Sequence, residues 1–300
     1  VSSLAAVSVA LATVGFVTLA APALPAQAVA SNQPEIIIKY VQASLTPVPF
    51  SIGLYSGTPN TNLTNCQLEW AKSGGTTDVV TADGNASVAW GKQNWSPNSY
   101  SLGAEVTLTI RAGSSGSTCD LNQISFGDSN SAKSMSRVIS LGTSAMFPNF
   151  ISLYSAFKDT KSSLVMEAPL PPSVVSLREA FLGSGTNTST FNGSLAHWDT
   201  RNVTDMQYMF KQNQQFNQNL SGWDVSKVTT FYQMFNGATS FNNGPTSDGA
   251  LSWNTASATN MALMFTGATA FNQNINSWEV GKVTTFDTMF KGATSLKKGT

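Results

Sequence analysis

Between Ile36 and about Phe126, apolar residues alternate with polar ones or gather in short runs. Ile36-Ile37-Ile38, Phe50-Ser51-Ile52-Gly53-Leu54 and Val106-Thr107-Leu108-Thr109-Ile110 are the clearest, and clusters such as Gly113-Ser114-Ser115-Gly116 separate them. Period-two runs bounded by turn residues predict short strands, and several at this spacing predict an antiparallel, sandwich-like β domain over residues 31–137.

Farther on, the pattern changes from alternation to repetition. Trp198, Trp223, Trp253 and Trp278 are spaced by 25, 30 and 25 residues. Met209-Phe210, Met234-Phe235, Met264-Phe265 and Met289-Phe290 keep the same intervals, with Ala180-Phe181 as a degenerate earlier copy. The pairs Phe191-Asn192, Phe216-Asn217, Phe241-Asn242 and Phe271-Asn272 recur in step, and the longer interval holds an insertion around Asn243-Gly244-Pro245-Thr246. Within one unit Val228, Phe231, Met234 and Phe235 stand at i, i+3, i+6 and i+7. That spacing predicts one face of a short helix, capped by Thr229 or Thr230 and closed at Gly237, with Phe216 to Val225 as an extended return. One unit is too small to bury its apolar residues alone, so neighbouring units must share a core. The expected fold class is α+β: the sandwich-like domain, then a leucine-rich-repeat-type solenoid of short helix plus strand units over 138–300, clearest over 174–300. The array stops at Thr300 where another unit should begin, so the chain is expected to continue beyond it.

The unit from Trp223-Asp224-Val225-Ser226-Lys227-Val228 through Met234-Phe235 to Phe241-Asn242 resembles the repeat of the BspA-like leucine-rich repeat family of bacterial surface proteins. Leu170-Pro171-Pro172-Ser173-Val174-Val175-Ser176-Leu177 is similar to the related repeat that precedes such arrays, and Phe147 to Phe157 echoes it. The resemblance implies export, display on the cell envelope and adhesion to host or bacterial partners. The region around Trp70 and Gly84 to Tyr100 loosely resembles the polycystic-kidney-disease-type sandwich modules.

Charge narrows the partners. Sixteen basic and sixteen acidic residues cancel, and no basic run exceeds Lys297-Lys298, so nucleic acid is not an expected partner. The first thirty residues carry no charge, run apolar from Leu4 to Ala21, and pass through Pro22 and Pro25 to Ala26-Gln27-Ala28. This is a secretory h-region with a small-x-small cleavage site, giving a signal peptide over 1–28, with an uncleaved membrane anchor as the alternative. The basic n-region is missing ahead of Val1, so either the start codon is non-standard or the N-terminus is clipped. No cysteine follows to take a lipid, and no second segment is apolar enough to span a bilayer after cleavage. Secretion or cell-surface display is expected. The two cysteines, Cys66 and Cys119, would then meet oxidising conditions, where an even count suggests a bridge.

Chemistry is sparse. The only histidine, His197, occupies a position where other units carry Gly222, Ser252 and Ser277, which is not the behaviour of a catalytic or metal-binding imidazole. Asp199, Asp224 and Glu279 follow the tryptophans, with Asn254 in the fourth unit. One carboxylate per unit is too few for calcium, and hydrogen bonding to a turn backbone is the expected role. Asn192, Asn217, Asn242 and Asn272 are expected to form an amide ladder. No nucleophile constellation, metal site or cofactor loop can be assembled, and no catalytic residue is assigned. Any ligand face should use positions that vary between units: His197, Tyr208, Lys211, Gln214, Tyr232 and Lys291. The expected function is an adhesin-like binding protein for an extracellular protein or glycan. A spacer or stalk is the first alternative. The second is an exported glycan-active enzyme drawing carboxylates from Glu69, Asp78, Asp83, Glu105, Asp120 or Asp128, no two of which are favoured by spacing.

Overall fold

A computed structural model describes residues 35–41, 50–55, 66–72, 77–82, 91–95, 105–112, 118–125, 135–184, 189–245 and 250–297. The secretory segment, the Gly113–Gly116 turn, Asp83 and Asp128 lie outside them, as does most of the segment from Gly84 to Tyr100.

The described residues include nine strands: β1 (Ile36–Val41), β2 (Phe50–Tyr55), β3 (Cys66–Lys72), β4 (Thr77–Ala82), β5 (Gly91–Trp95), β6 (Glu105–Ala112), β7 (Gln123–Ser125), β8 (Met135–Leu141) and β9 (Val165–Met166). They form a six-stranded sheet in the order β4-β3-β6-β1-β8-β9 and a three-stranded sheet in the order β5-β2-β7. Strand β1 alternates as the period-two pattern requires, with Ile36, Ile38 and Tyr40 buried. Its partner β6 does the same with Val106, Leu108 and Ile110. The register Ile36↔Ile110, Ile38↔Leu108 and Tyr40↔Val106 sets the two apolar rows side by side.

The repeats do not form helix-plus-strand units, and this corrects the fold class expected from the sequence. Among the described residues there is no helix. Each unit is a coil of successive tight turns, and one parallel bridge marks its junction with the next. These bridges run Gln123↔Ser152, Ser152↔Ser176, Ser176↔Asp205, Asp205↔Thr230, Thr230↔Asn260 and Asn260↔Thr285. Nor is the strand region purely antiparallel, because β9 pairs parallel with β8 and β7 opens the parallel ladder at Gln123.

The backbone hydrogen bonds explain why no helix forms. An α-helix returns each amide to a carbonyl four residues earlier in the same segment. Here the amides of Phe231, Gln233, Phe235 and Gly237 instead donate to Asn260, Ala262, Met264 and Thr266 of the next coil, at 2.8–3.1 Å. The intervening amides of Met234, Asn236 and Ala238 close turns onto Phe231, Gln233 and Phe235, three residues back. Alternate amides therefore serve the stack and the turn, and each finds a partner. Such a run needs residues with positive φ at the turn corners, found in each coil just before the Met or Ala of the pair: Ser155, Glu179, Tyr208, Gln233, Leu263 and Thr288. Gly237, Gly267 and Gly292 supply a second left-handed corner two residues after the Phe, and Gln212 takes that conformation without being glycine. The apolar spacing that reads as a helical face is the three-residue step of these turns.

Packing follows the stack. Phe181, Phe210, Phe235, Phe265 and Phe290 form one column, with centroids 5.5–5.6 Å apart and planes within 7°. Phe191, Phe216, Phe241 and Phe271 form a second at 6.0–6.1 Å. The core is continuous from Ile36 to Met289, so sheets and coils share it. Cys66, on β3, is disulfide-bonded to Cys119, the two Cα atoms 4.8 Å apart, and the Cys119 amide donates to the Met146 carbonyl at 2.9 Å. The bridge therefore ties the larger sheet to the segment from which the coils begin.

Candidate functional site

Three columns of polar side chains are absorbed by the stack. Each Asn carboxamide oxygen accepts from a backbone amide one coil on: Asn192 from Asn217, Asn217 from Asn242, Asn242 from Asn272, and Asn272 from Lys297, at 2.8–2.9 Å. Thr229, Thr259 and Thr284 donate their hydroxyls to the carbonyls of Thr204, Thr229 and Thr259 at 3.0–3.2 Å. The indoles of Trp198, Trp223, Trp253 and Trp278 donate to Ala168, Leu195, Leu220 and Leu251 of the preceding coil. A buried indole N–H needs such a carbonyl, which is why Trp recurs where the chain of the previous coil passes.

Two of the carboxylates after the tryptophans, Asp199 and Asp224, cap turns. Asp224 accepts from the Ser226 amide at 2.9 Å, and Asn254 accepts from Ala256 at 3.1 Å in the same way. Hydrogen bonds from Ser226 hold the Asp224 carboxyl below its ordinary range. The Arg201 side chain does the same for Asp199, bonded at 2.8 Å. Among the described residues no group of three or more His, Cys, Asp or Glu is arranged to hold a metal.

Of the six varying positions, three come together. The rings of Tyr208 and Tyr232 meet edge to face at 5.1 Å, and the Lys211 ammonium lies 5.1 Å from the Tyr208 centroid. His197, Gln214 and Lys291 are elsewhere. His197 Nε2 is 3.0 Å from the Ala168 carbonyl that also receives the Trp198 indole, so this imidazole is tied to the Trp column. Gln214 is exposed three positions past Lys211, and its own carbonyl receives the Ser240 amide. Lys291 repeats the Lys211 position three coils later, about 14 Å along the stack at the usual strand spacing.

The cluster extends to residues outside that set. The Arg178 guanidinium lies 5.3 Å from the Tyr208 centroid, on the coil before it. Glu179 is the anion beneath: its Oε1 is 3.7 Å from Arg178 Nε and its Oε2 accepts from Ser155 Oγ at 3.1 Å. Tyr154, 37% exposed, completes the ridge. Burial first, then the Glu179 charge, raises the Tyr154 phenol above 10.0. Burial and then Tyr232 raise that of Tyr208. Both stay neutral phenols, able to donate, at neutral pH. Arg178, Glu179 and Tyr154 could be found in the sequence only by counting back from Phe181 and Phe157, because their coils lack the Met-Phe marker.

Three of the carboxylates considered for hydrolysis have other partners. Glu69 pairs with Arg111, Glu105 with Lys39, and Asp120 accepts from Asn149 at 2.9 Å.

Residues 151–250 and 247–300 match the profile of a family described as "Mycoplasma protein of unknown function, DUF285". The matched region begins beside Ser152 and takes in the coils from there onward. No curated protein and no solved structure matches the chain.

Proposed function

Because the chain belongs to that family through its stacked coils, we propose that the protein is an exported, envelope-displayed or secreted binding protein whose coils engage an extracellular protein or glycan. The finer kinship, with the BspA-like surface proteins, is part of this reading and rests on the Trp-Asp-Val-Ser to Phe-Asn motif. One observation carries the proposal. The Phe and Trp columns keep one residue type from coil to coil while the outward ridge changes, and where it changes it gathers Arg178, Tyr208, Lys211 and Tyr232 into contact. Aromatic and Arg side chains held by neighbours lose little entropy on binding, which is why such groups dominate interfaces. The Cys66–Cys119 bridge fits an oxidising compartment. A spacer role has its own support in the uninterrupted phenylalanine columns, which make a stiff rod.

The test is capture of the full mature chain by immobilised extracellular-matrix proteins and glycans across a salt series. Saturable capture supports a binding protein; failure on every surface, by a folded chain, favours the spacer.

A further inference from the structure

We propose that the ridge is a docking surface for a linear polyanionic glycan, with acidic groups on Lys158, Arg178 and Lys211 and sugar rings against Tyr154 and Tyr232. This inference rests on the binding reading above and names its ligand class.

The three cations come from three consecutive coils, those bridged through Ser152, Ser176 and Asp205. Lys158 and Lys211 hold equivalent positions, as Asp159 N→Leu182 O and Gly183 N→Lys211 O place Lys158, Leu182 and Lys211 in register. At the usual spacing of neighbouring strands the two lysines stand about 10 Å apart, and Arg178, four positions before Leu182 on the middle coil, reaches the same Tyr208 ring as Lys211. Cations spread over three coils in this way suit a polymer carrying several acidic groups better than a small anion, which needs one convergent pocket.

The carboxylates nearest these cations are held in hydrogen bonds: Glu179, whose side chain is only 16% exposed, accepts from Ser155, buried Asp159 accepts from the Ser184 amide and hydroxyl, and Asp205 accepts from the Gln207 amide. Among the described residues neither Lys158 nor Lys211 forms an ion pair, and Arg178 offers only its Nε to Glu179. What this face offers outward is therefore the two lysine ammonium groups and the outer edge of the Arg178 guanidinium.

The backbone argues against an acidic peptide. A peptide bound to a sheet edge relies on unpaired amides and carbonyls. On this ridge the amides of Leu177, Glu179, Phe181 and Gly183 already donate to Asp205, Gln207, Met209 and Lys211. Recognition must pass through side chains, here the cations together with Tyr154 and Tyr232, which hold the Arg178 position on other coils and whose rings can pack on the C–H faces of sugars.

The full chain should be passed over immobilised chondroitin sulfate, uncharged dextran and polyglutamate. Capture is expected on chondroitin sulfate in preference to both others and should weaken as salt rises. Arg178→Gln with Lys211→Asn installs the residues other coils carry, Gln207 and Asn236, so folding is retained while affinity should fall about tenfold or more, as loss of charge-assisted contacts implies. Lys158→Asn alone should weaken capture in the same direction, and Lys282→Gln, on another coil, should leave it unchanged. No capture by chondroitin sulfate, equal capture by polyglutamate, or undiminished capture of the variants would overturn the proposal. If a matrix protein captures the chain while chondroitin sulfate does not, the binding reading stands and only this inference falls.

Discussion

Phe235 and Phe241 stack face to face, centroids 3.8 Å apart and planes within 7°, and this contact joins the two phenylalanine columns inside one coil. The same junction recurs as Phe210–Phe216 and Phe265–Phe271 at 3.9 and 3.8 Å. Phe235→Ala therefore removes contacts to its own coil and to the coils on both sides. A loss of about 3–5 kcal/mol is expected, read as a lower urea midpoint. Lys291→Ala, at an exposed position three coils beyond Lys211, should stay within about 0.5 kcal/mol of the parent.

Asn213 runs against the pattern. It is wholly buried, and neither its carboxamide oxygen nor its nitrogen has a partner. Later coils place Ala238, Ala268 and Ala293 at this position. Since an unsatisfied buried polar group costs about 1–3 kcal/mol, Asn213→Ala should raise the thermal midpoint. A lower midpoint would mean that the space left by the side chain outweighs the desolvation relieved.

Two glycines with the same backbone should respond differently to alanine. At Gly267, φ is +71° and an added Cβ would meet only Gly237 atoms at 3.7 Å, so the cost is the backbone's, about 1–2 kcal/mol. At Gly237, φ is +73° and the Cβ would sit 2.4 Å from Gln212 Nε2, forcing that side chain aside. Gly237→Ala should be the more destabilising, by comparison of unfolding midpoints.

Acid sensitivity should trace partly to the turn-capping aspartates. The folded-state pKa of Asp224 lies below its ordinary 3.8, chiefly through the hydrogen bonds from Ser226. Its contribution is complete above the unfolded-state pKa and is lost as pH falls through the folded value. Asp224→Asn keeps the turn, as Asn254 does in another coil, so stability at pH 7 should hardly change while the decline below about pH 4 becomes shallower.

The repeat was legible because its markers do structural work at one place in every coil: Trp donates an indole N–H backward, Asn accepts an amide forward, and Phe fills a column. The local conformation was not. Inward residues three apart arise from a helix of 3.6 residues per turn and equally from consecutive tight turns, and periodicity cannot separate them. The deciding feature is a left-handed residue at Tyr208, Gln233, Leu263 and Thr288. Leu and β-branched Thr disfavour that conformation, and only the neighbouring coil's hydrogen bonds hold them there. The ladder itself runs through Thr230, where a helix cap was expected. The ridge was half legible for a related reason: variation singled out Tyr208, Lys211 and Tyr232, but their junction with Arg178 depends on the neighbouring coil.

The most direct measurement compares the affinity of the full chain for a captured partner with that of a ridge variant carrying Tyr208→Gln and Tyr232→Ala, the residues other coils hold as Gln233 and Ala262. With the thermal midpoint preserved, affinity should fall about tenfold or more, since partly buried aromatics carry most of the energy at such surfaces. Unchanged affinity in a folded variant would place binding elsewhere on the molecule and contradict the assignment of the ridge.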